Sequence, residues 1–187
     1  MRVLVIRHAA AEERDARRWP HDSARPLTAQ GIARFSRMLD AIRAGIPAID
    51  RLLSSSYERA WATAAIVAEL LDAPPPVRCD ALEEQGPAAL LDAVRVHAGE
   101  DRDEDAAEPP EMKHELGAHG PETPPDVMAI VGHEPYLSAL VGSLAGAGEL
   151  PRLRLRKGAI VALRLDRPIA PGGATIEWMV HPKLFGS

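Results

Sequence analysis

Two almost uninterrupted apolar runs constrain this chain most, Val3-Leu-Val-Ile6 near the start and Val127-Met-Ala-Ile-Val131 well past the middle. Runs of this kind, without polar alternation, suit strands covered on both faces, as in the interior of a parallel sheet. Helices must then lie above and below that sheet, and the intervening sequence supplies them. Ile32, Phe35, Leu39 and Ile42 recur at spacings of three and four, with Thr28 placed to cap the helix they imply and Gly45 and Pro47 to end it. Arg51-Leu-Leu-Ser-Ser55 reads as a strand, followed by an alanine-rich helix over 57–71 with Val67, Leu70 and Leu71 toward the core. A strand is expected over Val77–Asp80, then a helix with Pro87 in its first turn and Leu90, Leu91 and Val94 in its body. Past Val131, the residues Tyr136, Leu137, Leu140, Val141 and Leu144 trace another helical face. Ile160–Leu165 and Thr175–Val180 read as two closing strands joined through Pro171-Gly-Gly173. The alternation predicts an α/β three-layer sandwich, a largely parallel central sheet with helices on both faces.

One segment breaks the pattern. Residues 98–126 hold ten acidic side chains, two lysines or arginines and five prolines, with almost nothing apolar to bury. A mobile loop or insertion is expected there, within one domain spanning 1–187. The net charge of -5 and the lack of a long basic run argue against nucleic acid as a partner. No apolar stretch approaches the roughly 20 residues of a membrane span or the roughly 7–15 of a signal peptide, so a cytoplasmic location without membrane association is expected. Cys79, the single cysteine, is expected to be buried packing rather than a nucleophile.

Three clusters follow strands at corresponding places: Arg7-His8, Ser54-Ser-Ser-Tyr-Glu-Arg59-Ala60, and Val131-Gly-His133-Glu-Pro135. Taken singly, each has an ordinary structural explanation as a hydrogen-bonding histidine or a solvated arginine. Ligands of open α/β sheets gather beyond the carboxyl ends of the strands. Two arginines and two histidines at three such ends read as one pocket.

At these residues the sequence resembles the histidine phosphatase superfamily. Arg7-His8-Ala9 is similar to its Arg-His-Gly motif, with alanine for glycine. Ser55-Ser-Tyr-Glu-Arg59-Ala60, with Thr63-Ala64 behind it, is similar to Ser-Pro-x-x-Arg-Ala, with serine for proline. Gly132-His133 matches the third motif, and Leu27-Thr-Ala-Gln-Gly31 is similar to Leu-Thr-x-x-Gly. Length, Gly132-His-Glu-Pro135, Lys157-Gly-Ala159 and Trp178-Met-Val-His-Pro-Lys183 resemble the SixA-type phosphohistidine phosphatases.

The resemblance implies a phosphoglycerate mutase-like fold and a covalent phosphohistidine cycle. His8 would be the nucleophile, with Arg7, Arg59 and His133 as catalytic residues binding the phosphoryl oxygens. It implies a phosphorylated substrate, a phosphohistidine protein above all, and neither cofactor nor metal. Larger family members supply a carboxylate to protonate the leaving group. Glu83 and Glu84 are the candidates here, with Asp22 behind them. The rivals are a small-metabolite phosphomonoesterase or mutase of the same superfamily, and a phosphate- or phosphoprotein-binding module without turnover. A metal hydrolase built on His97, His114 and His119 is disfavoured, because they lack a recognised ligand spacing.

Overall fold

The computed structural model describes residues 1–83, 85–100, 125–146 and 153–186. Among these residues, ten α-helices and strands follow one another: β1 (Arg2–Arg7), α1 (Ala29–Ile42), β2 (Arg51–Ser54), α2 (Glu58–Leu70), β3 (Val77–Arg78), α3 (Pro87–His97), β4 (Val127–Gly132), α4 (Tyr136–Leu144), β5 (Ile160–Leu165) and β6 (Ala174–Val180). The six strands form one sheet in the order β3-β2-β4-β1-β5-β6. Pairing is parallel from β3 through β1 and antiparallel at β1–β5 and β5–β6.

Alternate residues of the central strands divide the interior into two cores, which is why their sequences are apolar throughout. Val3, Val5, Leu53, Met128 and Ile130 pack with Leu90, Leu91 and Val94 of α3 and Leu137, Leu140 and Leu144 of α4. Leu4, Ile6, Leu52, Ala129 and Val131 pack on the opposite side with Phe35, Met38 and Leu39 of α1 and Ala60, Ala64 and Val67 of α2. The α/β sandwich with helices on both faces is therefore the observed architecture.

Several local expectations shift. The third strand is only Val77–Arg78, because the chain turns into a short 3-10 segment at Asp80–Leu82. Cys79 lies beyond that strand, buried against the α3 side of the core, and burial pushes its thiol pKa up. Helix α1 turns Gly31, Phe35, Met38 and Leu39 inward, leaving Ile32 at 41% exposure. Gly31 sets this rotation: a Cβ there would sit 2.1 Å from the Ala10 carbonyl oxygen. Thr28 caps α1 as expected, accepting from the Gly31 amide at 2.9 Å. In α2 the buried face is Arg59, Ala60, Thr63, Ala64 and Val67, while Leu70 and Leu71 are only partly covered. Most of the acidic segment expected over 98–126 lies outside the described residues, as do Glu84, His114 and His119.

Candidate active site

The sheet order makes β2, β4 and β1 consecutive parallel neighbours, so their carboxyl ends open side by side. Backbone bonds continue past the strands: the His8 amide donates to the Gly132 carbonyl at 3.1 Å, and the Ser55 amide to the Val131 carbonyl at 3.1 Å. Three motifs from three parts of the sequence thereby meet at one edge. His8, Arg59 and His133 are 5%, 5% and 7% exposed.

The His8 imidazole is held by its own loop. Its Nδ1 lies 2.7 Å from the Ala9 carbonyl oxygen, and a carbonyl only accepts, so Nδ1 carries the proton and Nε2 the free lone pair. Burial drives the His8 pKa down to about 2, against the bond to Ala9, and the nearby His133, Arg59 and Arg7 push the same way. The ring is neutral near pH 7. Thr63 fixes the loop from α2: its hydroxyl accepts from the Ala9 amide at 3.0 Å and donates to the Arg59 carbonyl at 2.7 Å.

His133 stands with its ring centroid 5.1 Å from that of His8. Its Nε2 is 2.9 Å from the Ser55 hydroxyl, which also accepts from the Tyr57 amide at 3.2 Å. When Ser55 donates to Nε2, the neutral ring carries its proton on Nδ1, a buried atom with no partner among the described residues. Burial lowers the His133 pKa to about 3, with Arg59 the next contributor.

The two guanidinium groups are anchored at one end and open at the other. Arg7 donates through one terminal nitrogen to the Leu155 carbonyl at 2.6 Å. Arg59 is gripped by Asp22, 2.7 Å from its carbonyl and 3.0 Å from its carboxylate. The Nε atoms of both arginines are buried without a partner among the described residues. Buried N–H groups are rarely left unpaired unless a ligand or water serves them. Burial lowers the pKa of each arginine, which still leaves a guanidinium charged at neutral pH. The unpartnered Nε donors of Arg7 and Arg59 and the His133 Nδ1, beside the free lone pair of His8, have the chemistry to receive an oxyanion.

The family model of the histidine phosphatase superfamily (branch 1) matches residues 3–168. The chain belongs to that superfamily. No curated protein matches it by sequence. Among solved structures, the protein histidine phosphatase SixA complexed with tungstate superposes with a TM-score of 0.74 at 21% identity, covering 100% of both chains. A protein assigned as phosphohistidine phosphatase SixA from Agrobacterium tumefaciens follows at 0.70 and 17% identity, covering 97% of each chain. The alpha-ribazole phosphatase from Shigella flexneri gives 0.59 at 20% identity, again with 97% of each chain covered. At these identities the likeness is one of fold.

Within this histidine phosphatase fold the carboxylate candidates separate. Asp22 also accepts from Arg25 at 3.0 Å and Arg14 at 3.2 Å. Its own burial would raise its pKa, but the bond to Arg25 and the charges of Arg59, Arg25 and Arg14 lower it overall. A carboxylate bonded to Arg59 and held low in pKa positions that arginine, which argues against Asp22 as a proton donor. Glu83 accepts from the Ser56 hydroxyl at 2.6 Å and its amide at 3.3 Å. Both contacts depend on serine where the family pattern has proline, which has no N–H to give. Ala9, the other departure, is buried in the α1–α2 core.

Asp22 as clamp, Arg25 behind it and the Leu155 carbonyl were not legible as site residues. They come from irregular segments with no periodicity or motif to mark them. Ser55 lies inside the second motif, but its bond to His133 follows from the sheet register. His97 lies in α3 with its carbonyl bonded to Arg51, away from the His8 cluster.

Proposed function

We propose that this protein is a phosphatase in which His8 takes the phosphoryl group through Nε2 and passes it to water, acting on phosphohistidine carried by a protein. The observation that carries the reading is the His8 Nδ1 bond to the Ala9 carbonyl, which leaves Nε2 unprotonated in a pocket where the buried Nε atoms of Arg7 and Arg59 have no partner among the described residues. In the first transfer the substrate P–N bond breaks as the His8 Nε2–P bond forms, and the departing imidazole takes a proton from solvent. In the second, water attacks phosphorus and gives up a proton to solvent, the His8 Nε2–P bond breaks, and inorganic phosphate is released. Arg7, Arg59 and the His133 N–H neutralise charge on the three equatorial oxygens, so the mechanism asks for no metal.

The leaving group supports the phosphohistidine substrate. An alkoxide cannot depart without a proton donor, whereas an imidazole, with a conjugate acid near pKa ~6.5, needs far less help. Asp22 is held ionised by arginines, and Glu83 is bound to Ser56 and faces Arg78 at 3.8 Å. The contact of Glu83 with Ser56, at the start of α2, favours a second reading in which Glu83 protonates the alkoxide of a small phosphomonoester.

The test is turnover of a phosphohistidine protein by the wild-type chain and by His8→Ala, in chelator, with acid-labile label on the enzyme followed in parallel. Phosphate release and transient labelling that both require His8 support the proposal. Binding without turnover makes the chain a phosphate-binding module. Alkyl phosphate hydrolysis outrunning phosphohistidine hydrolysis, and collapsing in Glu83→Gln, supports the phosphomonoesterase instead.

A further inference from the structure

Beside the His8 pocket, a cavity of about 350 Å³ opens between the start of α1, the loop before β5 and the segment after β6. Arg7 forms part of its wall, together with Arg34, Arg156, Lys157, His181 and Lys183, over a floor of Ala9, Ala10, Gly31 and Pro182. No carboxylate lines it among the described residues, and none of its five arginines and lysines makes an ion pair among them. Elsewhere on the surface the arginines are commonly paired, as Arg2 is with Glu177 and Arg78 with Asp80.

The cations are held together rather than merely adjacent in sequence. Gly158, at a φ of +76°, donates its amide to the carbonyls of Arg7 and His8 at 3.2 and 2.9 Å, which locks Lys157 beside the catalytic loop. Arg34 keeps a buried Nε with no partner among the described residues. His181 accepts from the Lys183 amide at 3.2 Å through Nδ1, so its Nε2 carries the proton as a donor. Burial lowers the Lys157 pKa, and Arg7 and Arg25 lower it further against a weaker pull from Glu13. Gathering like charges around a concave apolar floor is costly unless an anion is present for part of the working cycle.

We propose that this cavity is a second anion subsite, in which Arg34, Arg156, Lys157, His181 and Lys183 receive a carboxylate or phosphate that the substrate carries beside its transferred phosphoryl group. The inference rests on the phosphatase reading of the His8 pocket and adds a requirement to it: the preferred substrate has two anionic groups, with Arg7 lying between their sites. A phosphohistidine protein would provide the second anion as an acidic side chain near the phosphohistidine, and a small molecule as a second phosphate.

Binding to His8→Ala separates this from turnover. Calorimetric titration would compare alkanediol bisphosphates of several chain lengths with the corresponding alkyl monophosphates. A parallel arm compares hydrolysis by the wild-type chain of two phosphohistidine peptides that differ only by glutamate or glutamine beside the phosphorylated residue. The expected result is a preference of about tenfold or more for the member with two anionic groups in at least one pair. The preference should vanish in Arg156→Ala/Lys157→Ala and persist in Arg156→Lys/Lys157→Arg, with hydrolysis of an aryl phosphate that carries no second anionic group unchanged in both. A gain confined to the bisphosphates identifies a small-molecule source, and one confined to the peptides a protein source. Equal affinity and rates in both pairs, or a gain that survives the double alanine variant, overturns the subsite. A bisphosphate gain together with failure to hydrolyse any phosphohistidine substrate overturns only the phosphohistidine reading and leaves the subsite standing.

Discussion

Asp22 holds Arg59 from two directions, its carbonyl 2.7 Å from one terminal nitrogen and its carboxylate 3.0 Å from the other, so the arginine enters the His8 pocket pre-oriented. A guanidinium fixed in this way spends little conformational entropy on binding an oxyanion. Asp22→Ala should therefore lower kcat/KM by roughly 10–100-fold, as loss of a supporting partner does, while Arg59→Ala should cost roughly 100–1,000-fold as loss of a direct donor. Asp22→Glu should recover part of the loss. Steady-state kinetics of the three variants check the ordering, and an Asp22→Ala enzyme as fast as wild type would remove the clamp.

The two buried histidines make stability depend on pH in a defined window. His8 and His133 have folded-state pKa values near 2 and 3, below the ordinary value of about 6.5. The unfolded chain then binds more protons than the folded one between these limits. The stabilisation is complete above pH ~6.5 and is lost as pH falls, by up to about 1.4 kcal/mol per pH unit for each histidine. Urea unfolding between pH 4.5 and 7.5 should show this slope, and His8→Ala and His133→Ala should each flatten it. A slope unchanged from wild type in both variants would place the titration elsewhere.

Anion binding should carry a proton with it. His133 is neutral in the free pocket, and an oxyanion within reach of its Nδ1 favours the imidazolium over the neutral ring. Phosphate binding measured in buffers of different ionisation enthalpy should show net proton uptake near pH 7, absent in His133→Ala. Uptake that persists in that variant would assign the proton to another group.

Thr63 is buried and bridges the His8 loop to α2 through the Ala9 amide and the Arg59 carbonyl. Thr63→Val keeps the shape and strands a buried N–H, at a cost of about 1–3 kcal/mol. Activity should fall together with stability, because Ala9 also supplies the carbonyl that orients His8, and Thr63→Ser should restore both. Chemical denaturation paired with kinetics reads the two effects, and an active, stable Thr63→Val would show that the bridge is dispensable.

At Gly31 the prediction is steric. A Cβ 2.1 Å from the Ala10 oxygen has backbone rather than a flexible side chain in its way, so Gly31→Ala should destabilise the fold by about 2 kcal/mol or more and loosen the loop after His8. Thermal unfolding of the variant decides it, and an unchanged Tm would mean that α1 shifts freely.

The sequence by itself determined the layers and the residue types of the cluster. Apolar runs such as Val3–Ile6 can only be buried on both faces, and the helical spacing of Phe35 and Leu39 or of Leu90 and Val94 follows from 3.6 residues per turn, so strands, helices and their alternation were legible from local pattern. The types and positions of Arg7, His8, Arg59 and His133 were legible for the same reason: each directly follows a recognisable strand or opens a helix. Only the tertiary structure decided that β4 lies between β2 and β1, which sets His133 against His8 across more than a hundred residues of chain. It alone turned Asp22 from a proton-donor candidate into the clamp on Arg59, rotated α1 about Gly31, and gathered Lys157 and His181 beside Arg34. These relationships depend on loops and strand order, where no short-range periodicity acts and long-range packing sets which side chains meet.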